Sequence, residues 1–577
     1  MDAPFVLLDD ARPRGETRLY RDPVEVVEAR SAAEIAPALD RLRAAGARGL
    51  HAAGYLGYEA GAALEPKLPP PAADAPLLWF GLFEQWQPFD PAGLPDPAGA
   101  WIGRPDPQVS RAAYEDQVRA ALDLIAAGDL YQVNLSFAAT VALVGDPLAA
   151  FAQLRARAAA GYGAVVATGR ETLLSLSPEL FFRLDGDRLT CRPMKGTARR
   201  ADDPVHDRAA AAHLAADTKQ RAENLMIVDL MRNDLARVAV AGSVAVPELW
   251  TVERYPTVHQ LTSTVTAKLA PDRTAVDVLA AAFPCGSITG APKVRAMEAI
   301  AAIEQRPRGT YTGSIGRIDA GGDAEFNVAI RTLSLLDGAA TLSLGAGIVA
   351  DSDPAAEWAE CLAKGGFVGD GLPRFDLVET MAFDPVEGIA LLDRHLARMK
   401  ASADALGFAF DRHAARNELQ AATFRLREAR RLRLLLAPSG KVAIEVAAMP
   451  PVPAGPLSVA IVPLPVAAAD LRLRHKTSAR AFYDDARRAA GTDEVVFVHR
   501  GLLTEGSFTS IFVERDGVLV TPPAGPLLPG VLRAELLATG RAVEAPLTRA
   551  DLAGGFFVGN AVRGLLAAVA KEAAPPL

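Results

Sequence analysis

Between Lys364 and Pro373 the chain runs Lys-Gly-Gly-Phe-Val-Gly-Asp-Gly-Leu-Pro, four glycines in ten residues. Such a stretch extends neither a helix nor a strand, because glycine loses the most backbone freedom on ordering and proline lacks a donor. In a chain of 577 residues it marks the place for one core to end, since single cores stop growing at about 250–300 residues. The reading is two domains, 1–366 and 372–577. Half the residues are hydrophobic and 23% are charged, an ordinary globular balance. The formal net charge is −8, so there is no chain-wide basic footprint and nucleic acid is not an expected partner. No apolar run reaches the ~18 residues of a membrane span, and Met1–Asp10 lacks the charged start and apolar run of a signal peptide. Cys191, Cys285 and Cys361 lack metal-like spacing and suggest a reducing, cytoplasmic setting.

Upstream of the break, strand-like runs alternate with helical ones. Tyr114, Val118, Leu122 and Ile125 fall on one face of a helix over 111–127. The stretch from Asp203 to Val240 reads as one long Ala-rich helix. Cys285-Gly-Ser-Ile-Thr-Gly-Ala-Pro292 turns into a helix over 293–304, with Pro292 near its first position. Strands near 324–336 and 340–349 follow, then a helix over 354–364.

Within this frame the chemistry-bearing residues cluster in short motifs. Lys195 sits in Pro193-Met-Lys-Gly-Thr197, at a turn after the strand-like Arg188–Arg192, and Glu179 closes Ser177-Pro-Glu after another strand. A lysine held beside an acid can act as nucleophile or base, and the acid can protonate a leaving group. A lysine before Gly-Thr is also an ordinary solvated turn residue, so the neighbouring motifs carry the weight. Glu223 lies in Lys219-Gln-Arg-Ala-Glu-Asn224, and Glu357, Glu360 and Lys364 share a helix face. That face is either a salt-bridged surface or, with Glu223 and Glu360 as ligands and Glu357 beside them, an oxygen site for Mg²⁺. Thr289, Gly290 and Ala291 lie in a turn that either caps a helix or presents N–H groups to an anion. Arg331 could pair with a carboxylate, and Gly345 and Gly347, with Tyr311 upstream, allow a ligand close to the backbone. His259 is a titratable candidate, or a structural histidine.

The strings Gly128-Asp-Leu-Tyr-Gln-Val-Asn-Leu-Ser136, Ser177-Pro-Glu179, Ala222-Glu-Asn-Leu-Met-Ile-Val-Asp-Leu-Met-Arg-Asn-Asp234, Gly286–Pro292 and Gly345–Glu360 together resemble the chorismate-utilising enzyme family over residues 1 to about 366. The resemblance implies an α+β fold: two roughly orthogonal antiparallel sheets packed together, helices outside, and Mg²⁺ holding one carboxylate of chorismate. In anthranilate synthases the turn at Lys195 resembles Pro-Ile-Ala-Gly-Thr, and in aminodeoxychorismate synthases it resembles Pro-Ile-Lys-Gly-Thr. The lysine therefore opposes the anthranilate reading. It implies that Lys195 attacks chorismate at C2 and expels the C4 hydroxyl, and that ammonia enters at C4. Glu179 matches the family's general acid/base, and His259 stands where the family has a histidine near the ring. No cysteine lies in a Gly-x-Cys-x-Gly nucleophile turn, so a separate glutamine amidotransferase subunit is the expected ammonia source.

Downstream, Arg474-His-Lys476-Thr-Ser, Thr504-Glu505-Gly-Ser-Phe-Thr-Ser510, Gly530-Val531-Leu532, Gly559-Asn560 and His395-Leu-Ala-Arg398 supply an amine, an acid and an anion cradle, which is what pyridoxal phosphate needs. The set resembles fold-type IV pyridoxal phosphate enzymes over about 372–577 and implies an α/β domain. By residue match Lys476 carries the cofactor, Glu505 faces its ring nitrogen, and Arg398 with the backbone of Val531 and Leu532 holds its phosphate. Asn560 contributes. The opening strand looks short, implying a trimmed N-terminal subdomain, and Ser510 stands where asparagine is commoner. The family includes aminodeoxychorismate lyase, whose substrate is the product implied for the first domain. The fusion then implies successive steps from chorismate to 4-aminobenzoate, with pyruvate released. The alternatives are an amino-acid aminotransferase or a noncatalytic docking module.

Overall fold

The computed structural model describes residues 4–571 except 66, 69–74, 202, 255–257, 370 and 372. Tyr255-Pro-Thr257 ahead of His259, and Asp370 and Leu372 in the glycine-rich break, therefore lie outside the described residues.

The chain forms two compact units, and each is threaded differently from a simple cut at the break. The first comprises Met1–Leu94, Arg104–Ala142 and Phe151–Gly369; the second comprises Pro95–Gly103, Leu143–Ala150 and Asp370–Leu577. Two short segments from the first half thus fold with the second, a departure from the contiguous bounds 1–366 and 372–577. Their contacts explain it. Leu143–Gly145 pairs with Ala100–Ile102, and Trp101 packs in a core with Leu377, Met381 and Leu471. The Trp101 indole donates to Gly371 O at 2.8 Å, and Arg472 pairs with Asp96 at 2.7 Å.

In the first unit the described strands make two large antiparallel sheets. One runs Gly290–Ala291, Gln132–Val141, Ala339–Ile348, Thr332–Leu336, Glu171–Ser177, Tyr162–Ala167, Phe5–Asp9, Thr17–Arg21. The other includes Met194–Arg199, Val258–Lys268, Arg188–Arg192, Leu180–Asp185, Ala324–Asn327, Ser314–Ile318, His51–Leu56 and Leu78–Phe83. Val6, Tyr20, Val166 and Leu173 from the first meet Tyr55, Trp79, Phe83 and Ile315 from the second in a shared core. Each fully buried large apolar side chain there contributes about 1.5–3 kcal/mol. A second core lies where helices Ala32–Ala47, Thr218–Ala236 and Ala275–Ala282 pack on the second sheet.

Three local expectations change. The Ala-rich stretch is two helices, Pro204–Ala216 and Thr218–Ala236, broken where Asp217 takes extended dihedrals and accepts from Gln220 N. An aspartate that caps a helix start ends the one before it. The strand expected over 324–336 is two, in different sheets, with the chain crossing between them through Arg331 at φ 51°. Lys195 lies not on a turn but in the strand Met194–Arg199, whose register shifts between Met194 and Thr197. Gly196 at φ +104° supplies the backbone bend that such a bulge requires.

The second unit has an antiparallel four-stranded sheet, Gly388–Ile389, Leu377–Asp384, Arg430–Leu436 and Val442–Ala448, covered by helices Leu392–Leu406 and Arg412–Thr423. Its opening strand spans eight residues, so this subdomain is not trimmed as the sequence suggested. In Arg430–Leu436 the pleat buries Leu432, Leu434 and Leu436 and turns Arg431 and Arg433 to the opposite face. A mixed eight-stranded sheet completes the unit. Among the described residues no helix is long and apolar enough to cross a membrane.

Candidate active sites

The first site draws on both sheets, with Gly345 and Gly347 from one and Lys195 from an end strand of the other, and on the helices Thr218–Ala236 and Pro354–Lys364. Glu179 follows the strand Glu171–Ser177 and is 3% exposed. Burial, the dominant cause, pushes its carboxyl up to about 7, although Ser287, Lys195 and Lys364 all favour the charged form. Ser287 Oγ, on the short helical turn Gly286–Ile288, donates to Glu179 Oε1 at 2.7 Å. An acid poised near neutrality is suited to giving and taking a proton.

Lys195 Nζ lies 3.3 Å from Glu223 Oε2 on the helix Thr218–Ala236. A Cβ added to Gly347 would stand 2.7 Å from that Nζ and 3.1 Å from the Gln132 amide nitrogen, so a side chain here would displace the tip of the lysine. Gly347 pairs with Asn134, and Gly345 with Ser136, which fixes the floor of the site. The Tyr311 hydroxyl sits over Gly345 in the same way. On the helix Pro354–Lys364, Lys364 Nζ reaches Glu360 Oε1 at 2.7 Å and Gly345 O at 2.9 Å. Burial raises the Glu357 carboxyl, and nearby Glu360 adds to the rise. Burial also opposes ionisation of Glu360, but Lys364, Lys195 and Lys219 outweigh it and hold that carboxyl below its ordinary value. Lys195, Lys364, Glu179, Glu223, Glu357 and Glu360 thus form one charge network.

Among the described residues no three acidic, His or Cys side chains clasp a metal unaided. Glu223, Glu357 and Glu360 nonetheless offer only oxygen donors, with lysine ammonium groups against two of them. That donor set fits a hard cation that takes the rest of its shell from substrate and water.

Other expected residues sit differently. Thr289 is fully buried, and its hydroxyl donates to Cys285 O and Gly286 O at 3.1 and 3.3 Å, so it shapes the turn. Gly290 and Ala291 pair with Val133 and Gln132 as a two-residue strand, rather than opening a helix N-terminus. Arg331 lies at the crossing between sheets, its carbonyl accepting from Leu176 N. His259 is 1% exposed, and its Nε2 meets Asp207 Oδ1 at 2.9 Å. Arg200 first, and His259 with it, hold Asp207 well below the usual carboxylate range. Any contact of His259 with substrate rests on Nδ1, which is buried and without a partner.

Sequence reasoning missed Ser287 as the partner of Glu179 and Asp207 as the partner of His259. It also missed Gln132, 1% exposed, whose two amide atoms have no partner beside Lys195. A buried amide left open on both ends is placed to meet a bound group.

The second site is a cavity of about 290 Å³ lined by Lys476, Glu505, Arg398, Val531, Leu532 and Asn560 among others. Lys476 Nζ donates to Thr380 Oγ1 at 3.0 Å. Burial above all, then Arg398, brings its amine down to about 7, within reach of the neutral, nucleophilic form. Glu505 accepts from the Tyr483 hydroxyl at 2.6 Å and from Leu528 N at 2.9 Å. Burial raises its carboxyl to about 7. The helix Val531–Ala538 starts after Gly530, leaving its first N–H groups without intrahelical partners. Arg398 is held by Glu379 at 2.7 and 2.8 Å. Glu379 also meets His395 Nδ1 at 2.6 Å, while His395 Nε2 is buried, unpartnered and on the cavity wall. Asn560 spends its amide on Phe508 O and on the Val562 and Arg563 N–H groups, so it shapes the wall. An amine, an acid, an open helix start and an orphaned imidazole nitrogen fit pyridoxal phosphate.

The profile described as chorismate binding enzyme matches residues 3–368, and that described as amino-transferase class IV matches residues 376–570. Aminodeoxychorismate synthase component 1 of Escherichia coli is 47% identical over 256 residues, covering 44% of this chain and 56% of that protein. An anthranilate synthase component 1 of Haloarcula marismortui is 43% identical over 260 residues, 44% of this chain and 48% of that protein. The chain thus spans about half the length of these curated relatives. The crystal structure of anthranilate synthase component I from Streptococcus pneumoniae matches with a TM-score of 0.55 at 27% identity, covering 64% of this chain and 92% of that one. The first of these profiles covers well over half of the 577 residues, and the chain therefore belongs to the chorismate-binding enzyme family, with a class IV aminotransferase domain following it.

Proposed function

We propose that the chain converts chorismate and ammonia to 4-amino-4-deoxychorismate at the first site and releases 4-aminobenzoate and pyruvate at the second. The observation that carries the first half is Lys195, placed against Gly347 and within the charge range of a near-neutral Glu179. Lys195 Nζ adds at ring C2 while the C4 hydroxyl departs with the proton of Glu179. Ammonia then adds at C4, and Nζ leaves from C2. Glu223 and Glu360, with Glu357, would hold Mg²⁺, which neutralises a substrate carboxylate. Ammonia would come from a separate glutamine amidotransferase.

At the second site, pyridoxal phosphate when bound supplies an electron sink. Glu505, fixed in place by Tyr483 and Leu528 N, would hold the ring nitrogen. Arg398 and the Val531 and Leu532 N–H groups would take the phosphate. Lys476 Nζ, with its lowered affinity for a proton, takes the proton from the substrate ring and thereby drives pyruvate off as the ring aromatises.

One observation favours a second reading of the first site: its likeness to anthranilate synthase component 1. Product analysis separates the readings. With chorismate, ammonium salt and Mg²⁺, the proposal expects 4-amino-4-deoxychorismate without pyridoxal phosphate, and 4-aminobenzoate with it. Glutamine in place of ammonium should give neither. Anthranilate as the product would overturn the reading.

A further inference from the structure

The second cavity carries more positive charge than a cofactor phosphate accounts for. Arg398, Arg431, Arg480, Arg487 and Arg563 all line it, and Glu505 is the acid on its wall among the described residues. Three of these arginines are engaged. Arg398 is held by Glu379. Arg480 donates to Ser507 O at 2.6 Å, with its guanidinium 4.5 Å over the Tyr483 ring. Arg487 pairs with Asp484 at 3.3 Å on its own helix through one terminal nitrogen, its Nε staying buried and unpartnered.

Arg431 and Arg563 remain. Among the described residues neither pairs with a carboxylate. They approach from different elements. Arg431 lies on the strand Arg430–Leu436, opposite Ala382, two positions from Arg433, which is opposite Thr380. Because Thr380 accepts from Lys476, the alternation of the pleat puts Arg431 on the face that looks to the lysine. Arg563 follows the strand Phe556–Asn560, its guanidinium 5.7 Å from the Phe508 ring centroid. A lone surface arginine is ordinarily solvated. Two without carboxylate counter-ions, reaching one cavity from different elements, can receive two carboxylates, since each guanidinium offers paired N–H donors that match one.

We propose that Arg431 and Arg563 are a carboxylate clamp that selects substrates bearing two carboxylates besides the amine delivered to Lys476. The proposal rests on reading the second site as one that acts on a dicarboxylic amine. A monocarboxylic amino acid would leave one guanidinium unmatched.

The test uses the full chain loaded with pyridoxal phosphate, and the variants Arg431→Gln and Arg563→Gln. Each is titrated calorimetrically with 3-(carboxymethoxy)benzoate and with benzoate, a stable dicarboxylate and its monocarboxylate counterpart. The wild type should prefer the dicarboxylate at least about tenfold, and each variant should fall to within about threefold. Unchanged cofactor absorbance reports a folded holoenzyme. No preference in the wild type, or a preference kept by either variant, overturns the clamp. Pyruvate release from 4-amino-4-deoxychorismate is followed on the same preparations. A wild type that shows the preference but releases no pyruvate defeats the lyase reading and leaves the clamp standing. Pyruvate release at unchanged KM in both variants, with the preference retained, defeats the clamp and leaves the lyase reading standing.

Discussion

Replacing Ser287 with alanine should move the pH profile of the first site without removing a reacting group. Ser287 Oγ donates to Glu179 Oε1 at 2.7 Å, and a hydrogen bond to a charged acceptor contributes about 1.5–3 kcal/mol. One pKa unit corresponds to about 1.36 kcal/mol. Glu179, with its carboxyl near 7, keeps Lys195, Lys364 and a backbone N–H as further support for the charged form, so the expected rise is about one unit. The sign follows from which form the hydroxyl stabilises. It favours the carboxylate, so its loss favours the acid. A general acid works protonated, and activity falls as pH rises through its pKa. The alkaline limb of kcat/KM for chorismate should therefore shift upward. At pH 8 the variant should keep about half of its plateau activity, where the wild type has fallen to about a tenth. Initial rates at constant free ammonia across about pH 6–9 read this directly. An unmoved limb, or one displaced to lower pH, would refute the assignment of Glu179 as the acid controlled by Ser287.

Lys195→Ala should abolish 4-amino-4-deoxychorismate formation, or divert it to anthranilate, with the circular dichroism spectrum unchanged; near-normal output would sink the covalent role. Glu223→Gln and Glu360→Gln should each raise the Mg²⁺ concentration needed for half-maximal rate and cut turnover strongly, because each removes an anionic oxygen from a cation with few protein ligands. Superimposable Mg²⁺ titrations would exclude both as ligands. Tyr483→Phe removes the 2.6 Å hydrogen bond to Glu505 and should lower pyruvate release about tenfold, given ~1.5–3 kcal/mol for such a bond and a factor of ten per ~1.4 kcal/mol. Equal rates would show that Tyr483 does not hold Glu505 in its working position.

What could be read from the sequence was what is encoded locally. The break at Lys364–Pro373 and the helices over 111–127, 293–304 and 354–364 announce themselves by glycine, proline and apolar spacing, and helices form at those places. Local encoding also explains the misses. Asp217 looked like one polar residue in an alanine-rich run, but its side chain caps the next helix. Val328-Ala-Ile330 is as apolar as the strands beside it, so the crossing between sheets left no mark in the sequence. The Pro/Gly flanks of Lys195 suggested a turn, whereas pairing with Val258–Lys268 makes a bulged strand. At the sites, the acids and lysines stood out by motif, but their partners did not. Ser287 and Glu179 are 108 residues apart, and His259 and Asp207 are 52 apart, so no spacing rule connects them. The segments 95–103 and 143–150 likewise join the second unit through Trp101 and Arg472 contacts that only the fold creates.

The most direct test of two successive reactions on one chain is to compare the wild type with Lys476→Ala. Each receives chorismate, ammonium salt, Mg²⁺ and pyridoxal phosphate, and 4-amino-4-deoxychorismate, 4-aminobenzoate and pyruvate are quantified together. The wild type should yield 4-aminobenzoate and pyruvate in equal amounts, with little intermediate. The variant, lacking the amine at the second cavity but keeping Lys195 and Glu179, should accumulate 4-amino-4-deoxychorismate and release neither final product. Formation of 4-aminobenzoate by the variant at the wild-type rate, with no other lyase present, would contradict the account.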